Sequence, residues 1–176
     1  MNSSYNNKVT FGDILTSVTY AVAPKKIVEV GILEGFSLKR FAEASNPNTT
    51  IQAYDIFEEF NGNYAKKDEL VALFKDNNNV SINYGDFYEV HKSINDVDII
   101  HIDIANNGDV YEYAIQHYLP KLARDGVMIL EGGSKERDNA DWMVKYNKPK
   151  IQPVVKKHGL RVVGTFPSLT LVKNNV

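Results

Sequence analysis

Along this chain, short apolar runs with a two-residue repeat alternate with stretches whose apolar positions recur every three to four residues. The first helical stripe is Phe11, Ile14, Leu15, Val18 and Val22, and Pro24 closes it. Strand-like runs follow at residues 26–31, 51–57, 80–84, 97–103 and 126–131. Between them lie helical patterns at 37–44, 68–75 and, from about Val110, 110–122, with Pro120 near its end. Residues 135–146 read as a further helix. Pro149 and Pro153 then interrupt the chain, and a short helix runs on to His158. Residues 76–79 are a polar turn. Such alternation predicts an α/β fold, a parallel sheet with helices on both faces.

The end of the chain breaks this rhythm. Residues 160–166 and 169–173 are both strand-like, with only Pro167-Ser168 between them. Two residues cannot carry a parallel crossover, so the pair is expected to be an antiparallel hairpin.

Composition narrows the classes. The 176 residues, 43% hydrophobic and 24% charged, suit one domain with its own core, residues 1–10 being expected to be flexible. The net charge is −2, and the densest basic clusters, Lys25-Lys26 and Lys156-Lys157, are pairs that read as solvated surface. A nucleic-acid partner is therefore not expected. Without cysteine there are no disulfides, zinc–thiolate sites or cysteine nucleophiles. No apolar run approaches the ~20 residues of a membrane helix, and Met1 to Lys8 lack the apolar core of a signal segment. A soluble, cytoplasmic protein with no membrane partner is expected.

Candidate chemistry gathers where the strands end. The run from Val28 to Ser37 carries Glu29-x-Gly31-x-x-x-Gly35, with Ser37 placed to cap the next helix. Glycines at a strand-to-helix turn let a ligand approach the backbone, and the helix start favours a negative group. The spacing is not the Gly-x-Gly-x-x-Gly of dinucleotide folds. Asp55 ends the second strand at about the ~20-residue distance of an acid that grips a ribose. Tyr84-Gly85-Asp86-Phe87 follows the third strand, an acid for an adenine amino group and a ring to lie against it. His101-Ile102-Asp103 ends the fourth strand, and Glu131 ends the fifth. Glu29, Asp55, Asp86, Asp103 and Glu131 thus share one edge, where ligands of open α/β sheets sit.

Together these residues resemble the class I S-adenosylmethionine (SAM)-dependent methyltransferases, in their small O-methyltransferase-like branch. The resemblance covers nearly the whole chain. It implies a Rossmann-like, doubly wound sheet of seven strands in the order 3-2-1-4-5-7-6, the last strand antiparallel. Glu29, Gly31, Gly35, Phe36 and Ser37 match the family's glycine loop. Asp55, with Ile56 and Phe57, matches its ribose segment. Gly85, Asp86 and Phe87 match the adenine side, and Asp103 lies near the methionine end and the acceptor. Residues 119–126 resemble the family's lead into the fifth strand, with Asp125 where a glycine is common.

The reaction so implied is in-line attack of a nucleophile on the sulfonium methyl, the protein supplying position and electrostatics. Asp103, Glu131 and His101 are the catalytic candidates. His117 reads as packing beside Tyr113, and His91 and His158 as peripheral. Related catechol-type enzymes hold Mg²⁺ with an acid after the fourth strand and an Asp-Asn pair after the fifth. Here Asp103 and Glu131 are the candidate ligands, with Asp138, Asn139 or Asp141 to complete an oxygen shell, but Gly132 stands in the Asn position. The expected acceptor is a sugar, glycan or small metabolite hydroxyl. It would meet residues 106–111 and 132–142, Trp142 being a stacking candidate, while residues 57–62 close over the cofactor. A homo-oligomer could complete the pocket. Two other readings stay open: a non-catalytic SAM-binding partner subunit and a nicotinamide-dependent oxidoreductase.

Overall fold

A computed structural model describes residues 10–60 and 62–174. The flexible start expected at residues 1–10 lies outside them, Thr10 excepted. Seven strands form one sheet: β1 (Lys26–Val30), β2 (Thr50–Asp55), β3 (Val80–Tyr84), β4 (Val97–Ile102), β5 (Leu122–Glu131), β6 (Arg161–Val163) and β7 (Leu169–Lys173). Their order is β3-β2-β1-β4-β5-β7-β6. The first five pair in parallel, and β7 runs antiparallel to both β5 and β6. This is the Rossmann-like, doubly wound arrangement expected from the sequence, hairpin included.

Strand parity assigns the two faces. Val28, Val30, Ile100, Ile102, Met128 and Leu130 pack under α4 (Phe87–Val90), α5 (Gly108–His117) and α7 (Gln152–His158). Ile27, Ile51, Ile99, Val127 and Ile129 pack under α1 (Phe11–Val22), α2 (Phe36–Ala44) and α3 (Lys67–Leu73). Each buried Val or Ile contributes about 1.5–3 kcal/mol. The central strands are apolar on both sides because both sides are covered. Helix α1 starts at a capping box, in which the Asp13 N–H donates to Thr10 Oγ1 and the Thr10 N–H to Asp13 Oδ2.

Local departures have local causes. The Asn107 side chain accepts from the Asp109 and Val110 N–H groups, so α5 starts at Gly108 rather than Val110. It stops at His117, a 3₁₀ turn carries Pro120, and β5 begins at Leu122 rather than 126. The expected helix 135–146 divides into a 3₁₀ turn (Arg137–Asn139) and α6 (Asp141–Lys145). Arg137 and Asp138 are drawn inward there by the partners described below. Strand β2 ends at Asp55, not at 57, and a 3₁₀ turn (Phe57–Glu59) follows, Phe57 lying at φ +51°. Ser37 does not cap α2. Gly35 holds the cap position at φ +78°, and the Ser37 hydroxyl turns inward to Glu29. The hairpin loop spans residues 164–168 rather than two residues, and Ser168 is tied by its backbone oxygen to the Gly132 N–H and by its hydroxyl to the Ser134 N–H. Among the described residues no helix is long and apolar enough to cross a membrane.

Candidate active site

Parallel strands leave their carboxyl ends on one edge, and the glycine loop opens a space there. Gly31 lies at φ +91°, its N–H bonded to the Tyr54 carbonyl at 2.8 Å. A side chain at this position would collide with the Asp103 carbonyl, so β1 and β4 approach this closely only with glycine between them. The result is a cleft of about 460 Å³. Of the residues singled out from the sequence, Gly31, Asp55, Ile56, Gly85, Asp86, Phe87 and Asp103 line it. Glu29, Gly35, Phe36, Ser37, Phe57, His101 and Glu131 do not. Phe36 is exposed, with the Arg40 guanidinium 5.4 Å from its ring. A second hollow, near 380 Å³, lies by Thr19, Lys25 and Thr49 at the opposite strand ends and contains none of these residues.

Phe60, from the segment expected to close over the cofactor, and Asn107 and Val110, from the segment expected to meet the acceptor, also line the cleft; Leu33, Asn63, Tyr88 and Ile104 line it too and escaped the sequence reading. Tyr88 directly follows the Gly-Asp-Phe motif and could have been inferred. Nothing in the sequence marks Asn63, which reaches the cleft only through the turn after β2. Phe87 is buried and stacked on Tyr118 at 5.1 Å, so one face of its ring is already covered.

Four of the five acids on this edge are committed to the protein. Glu29 is fully buried on the α2 face, bonded to the Ser37 hydroxyl and, at 2.8 Å, to His101 Nδ1. Burial works against charge on His101. The bonded Glu29 outweighs it, with Asp103 and Glu131 adding to the pull, and raises the imidazole pKa. Among the described residues Glu29 Oε2 has no partner. Asp55 accepts the Ile32 N–H and the Phe57 N–H, each at 2.7 Å, and so ties the glycine loop to the segment after β2. Asp86 caps α4 through the Tyr88 N–H at 2.8 Å. Glu131 receives Arg137 Nε at 2.8 Å on one oxygen and Nη2 at 2.8 Å on the other. That guanidinium is buried, lies 4.8 Å from the Trp142 ring, and among the described residues keeps Nη1 without a partner.

Asp103 differs. It stands beyond β4 in the wall of the cleft, and its carboxylate makes no hydrogen bond among the described residues. Protein surrounds it, although the side chain stays open to the water of the cleft. Lost solvation pushes its carboxyl up to about 6, against the pull of His101; Glu131 and Glu29 push the same way, and Arg137 opposes them.

The other histidines serve packing and pairing. His117 lies 4.1 Å from the Tyr113 ring, and His158 pairs with Glu112 at 3.0 Å. His91 is buried rather than peripheral; burial, and then the neighbouring His117, lowers its pKa.

Two of the side chains proposed for Mg²⁺, Glu131 and Asp138, are already held by protein donors. Arg137 holds both Glu131 oxygens. Asp138 accepts the Ile151 N–H at 2.7 Å and the Gln152 N–H at 3.0 Å, one on each oxygen. Among the described residues no three His, Cys, Asp or Glu side chains gather as a metal ion requires.

Residues 28–131 match the family model described as a methyltransferase domain. No curated protein matches the chain significantly. Solved structures do. The O-methyltransferase from Bacillus cereus in complex with S-adenosylhomocysteine (SAH) superposes with a TM-score of 0.71 at 14% identity, covering 97% of this chain and 83% of that one. The SAH-bound Podospora anserina methyltransferase PaMTH1 gives 0.71 at 17%, covering 92% and 76%. The O-methyltransferase TomG from Streptomyces achromogenes, involved in tomaymycin synthesis and solved with SAM, gives 0.66 at 17%, covering 93% and 79%. At such identities the likeness is one of fold.

Proposed function

Because the chain belongs to the methyltransferase-domain family, we propose that it transfers the methyl group of SAM to a hydroxyl oxygen of a small acceptor, with Asp103 as the base. The class I fold and the family make the chain a SAM-dependent methyltransferase. The oxygen acceptor and the residue roles are our reading. A nicotinamide-dependent oxidoreductase is disfavoured by β7, which runs antiparallel beside β5 where the dinucleotide fold continues in parallel.

One observation carries the assignment of Asp103. Among the described residues it is the carboxylate on this edge that no protein group occupies, and it lines the cleft. Solvation lost to the cleft walls raises its pKa, which points the same way. A base tuned toward neutrality takes the proton of a hydroxyl as the oxygen attacks the methyl carbon. Carbon–oxygen bond formation accompanies carbon–sulfur cleavage, and SAH leaves. SAM supplies the activated methyl group. In this chain Asp55 would hold the ribose, Asp86 would take the adenine amino group, and Gly31 would let the backbone approach. Both glutamate candidates fit supporting roles better, Glu29 beneath the glycine loop and Glu131 as the partner of Arg137. His101, buried against Glu29, is not free to act as base.

The acceptor enters between Tyr88, Ile104, Asn107 and Val110, a wall of mixed polarity that suits a hydroxylated ring, a sugar or a small metabolite. Calorimetric titration with SAH tests the cofactor reading. We expect micromolar binding that Asp55→Ala abolishes. Binding of NAD instead of SAH, or unchanged SAH affinity in Asp55→Ala, refutes it.

A further inference from the structure

Asp55 has no acceptor position to spare. Its Oδ2 takes the Ile32 N–H at 2.7 Å and the Leu33 N–H at 3.4 Å. Its Oδ1 takes the Phe57 N–H at 2.7 Å and the Asn63 side-chain amide at 2.7 Å. A carboxylate offers about four lone-pair positions, and four donors face this one. A ribose diol, which the reading above brings to Asp55, must therefore displace at least one of them.

The four donors are not equally replaceable. Three are backbone N–H groups at fixed points of the fold. Ile32 and Leu33 follow Gly31, which is itself bonded to the neighbouring strand, and Phe57 is buried. The fourth is the side chain of Asn63, half-buried in the wall of the cleft. Its own Oδ1 accepts the Ala65 N–H at 3.0 Å, which turns the amide nitrogen toward Asp55. A side chain built on Gly62 beside it would meet no atom within 4 Å, so that flank of the turn faces open space.

We propose that Asn63 sets the affinity of the cofactor site: in the free protein its amide holds the Asp55 lone pair that a ribose hydroxyl takes over on binding. The competing ligand is a nucleoside with a free 2′,3′-diol. Binding exchanges one charge-assisted hydrogen bond for another, so Asn63 subtracts from the affinity that Asp55 provides. Truncation to alanine leaves an acceptor position of Asp55 turned to the cleft and removes the competitor. SAH should then bind about three- to tenfold more tightly, the span of one net hydrogen bond.

The inference rests on the cofactor reading, and titration calorimetry separates the two. The wild type, Asn63→Ala and Asn63→Ser are each titrated with SAH and with its 2′,3′-dideoxy analogue, after melting curves establish that the variants fold. We expect both variants to gain affinity for SAH and to leave the affinity for the dideoxy analogue at the wild-type value. Unchanged or weaker SAH binding in the variants overturns the inference, since Asn63 would then assist the ribose. So does an equal gain with the dideoxy analogue, which would place the effect away from the diol. If the wild type binds no SAH at all, the cofactor reading falls and this inference falls with it.

Discussion

Asp103→Asn should raise the stability of the free protein and remove its activity. The folded state holds the Asp103 proton more firmly than the unfolded chain does, its carboxyl being pushed from 3.8 up to about 6. Between those two values the folded protein binds more protons than the unfolded one. Stability therefore falls as pH rises through that window, and the full cost is present at neutral pH. A displacement of this size sets a ceiling near ~3 kcal/mol at ~1.36 kcal/mol per unit. The side chain is open to the water of the cleft, and screening reduces this to about 1 kcal/mol.

Asparagine is nearly isosteric and never charged. At pH 7.5 the variant should melt about 2–4 °C above the wild type, the response of a chain this size to about 1 kcal/mol. Scanning calorimetry from about pH 4 to 8 reads the effect, and the gap should narrow as the pH falls below about 6 and close near 4, where Asp103 is protonated in both states. Turnover of any accepted hydroxyl should be lost while SAH affinity stays within a few-fold. Lower stability of Asp103→Asn at pH 7.5, or a gap independent of pH, would refute the account of the carboxylate. Normal turnover in the variant would refute its role as base.

Two further outcomes follow from the buried charges. Glu29→Gln removes one partner of the Glu29–His101 pair and should cost about 3–5 kcal/mol, read by chemical denaturation. His101 has a raised pKa in the fold, so the pair's contribution is complete below pH 6.5 and fades as pH rises through the higher folded value; the variant should lack that alkaline fall. Millimolar Mg²⁺ and EDTA should both leave the melting temperature and the SAH affinity unchanged, because Arg137 holds Glu131. Stabilisation by Mg²⁺ that Glu131→Gln abolishes would contradict this.

The frame of the fold was legible because strands and helices differ in the period of their apolar positions. Every strand of the sheet appeared as an apolar run, and the two-residue link at Pro167-Ser168 announced the hairpin although its loop proved longer. Element ends were less legible where a side chain rather than periodicity decides them. Asn107 starts α5 early by capping it, and Pro120 forces a 3₁₀ turn before β5. The helix expected at 135–146 breaks because Arg137 turns in to Glu131 and Asp138 to the Ile151 N–H. Those partners are distant in sequence or follow no local pattern. In the site, the glycine loop and the acids were visible by motif. Asn63 was not, because a turn of irregular backbone delivers it.

The five acids show what a motif can and cannot specify. Position in the sequence puts Glu29, Asp55, Asp86, Asp103 and Glu131 at strand ends on one edge, and in that respect they are equivalent. What separates them is the donor that each one meets. Glu29 and His101 are register partners on β1 and β4 and share the α2 face, so they find each other and leave the cleft. Glu131 has the same parity as the β5 residues on that face, but Arg137 arrives six residues later and closes over it. Asp55 and Asp86 point to the cleft yet hold backbone N–H groups that start the next segments. Asp103 also has the α2-face parity but stands one residue beyond β4, where Gly31 leaves no side chain to cover it. A carboxylate left without a donor in a protein-walled cleft is costly to keep charged. That cost falls on Asp103, and it is the cost that the proposed role of a base there would put to use.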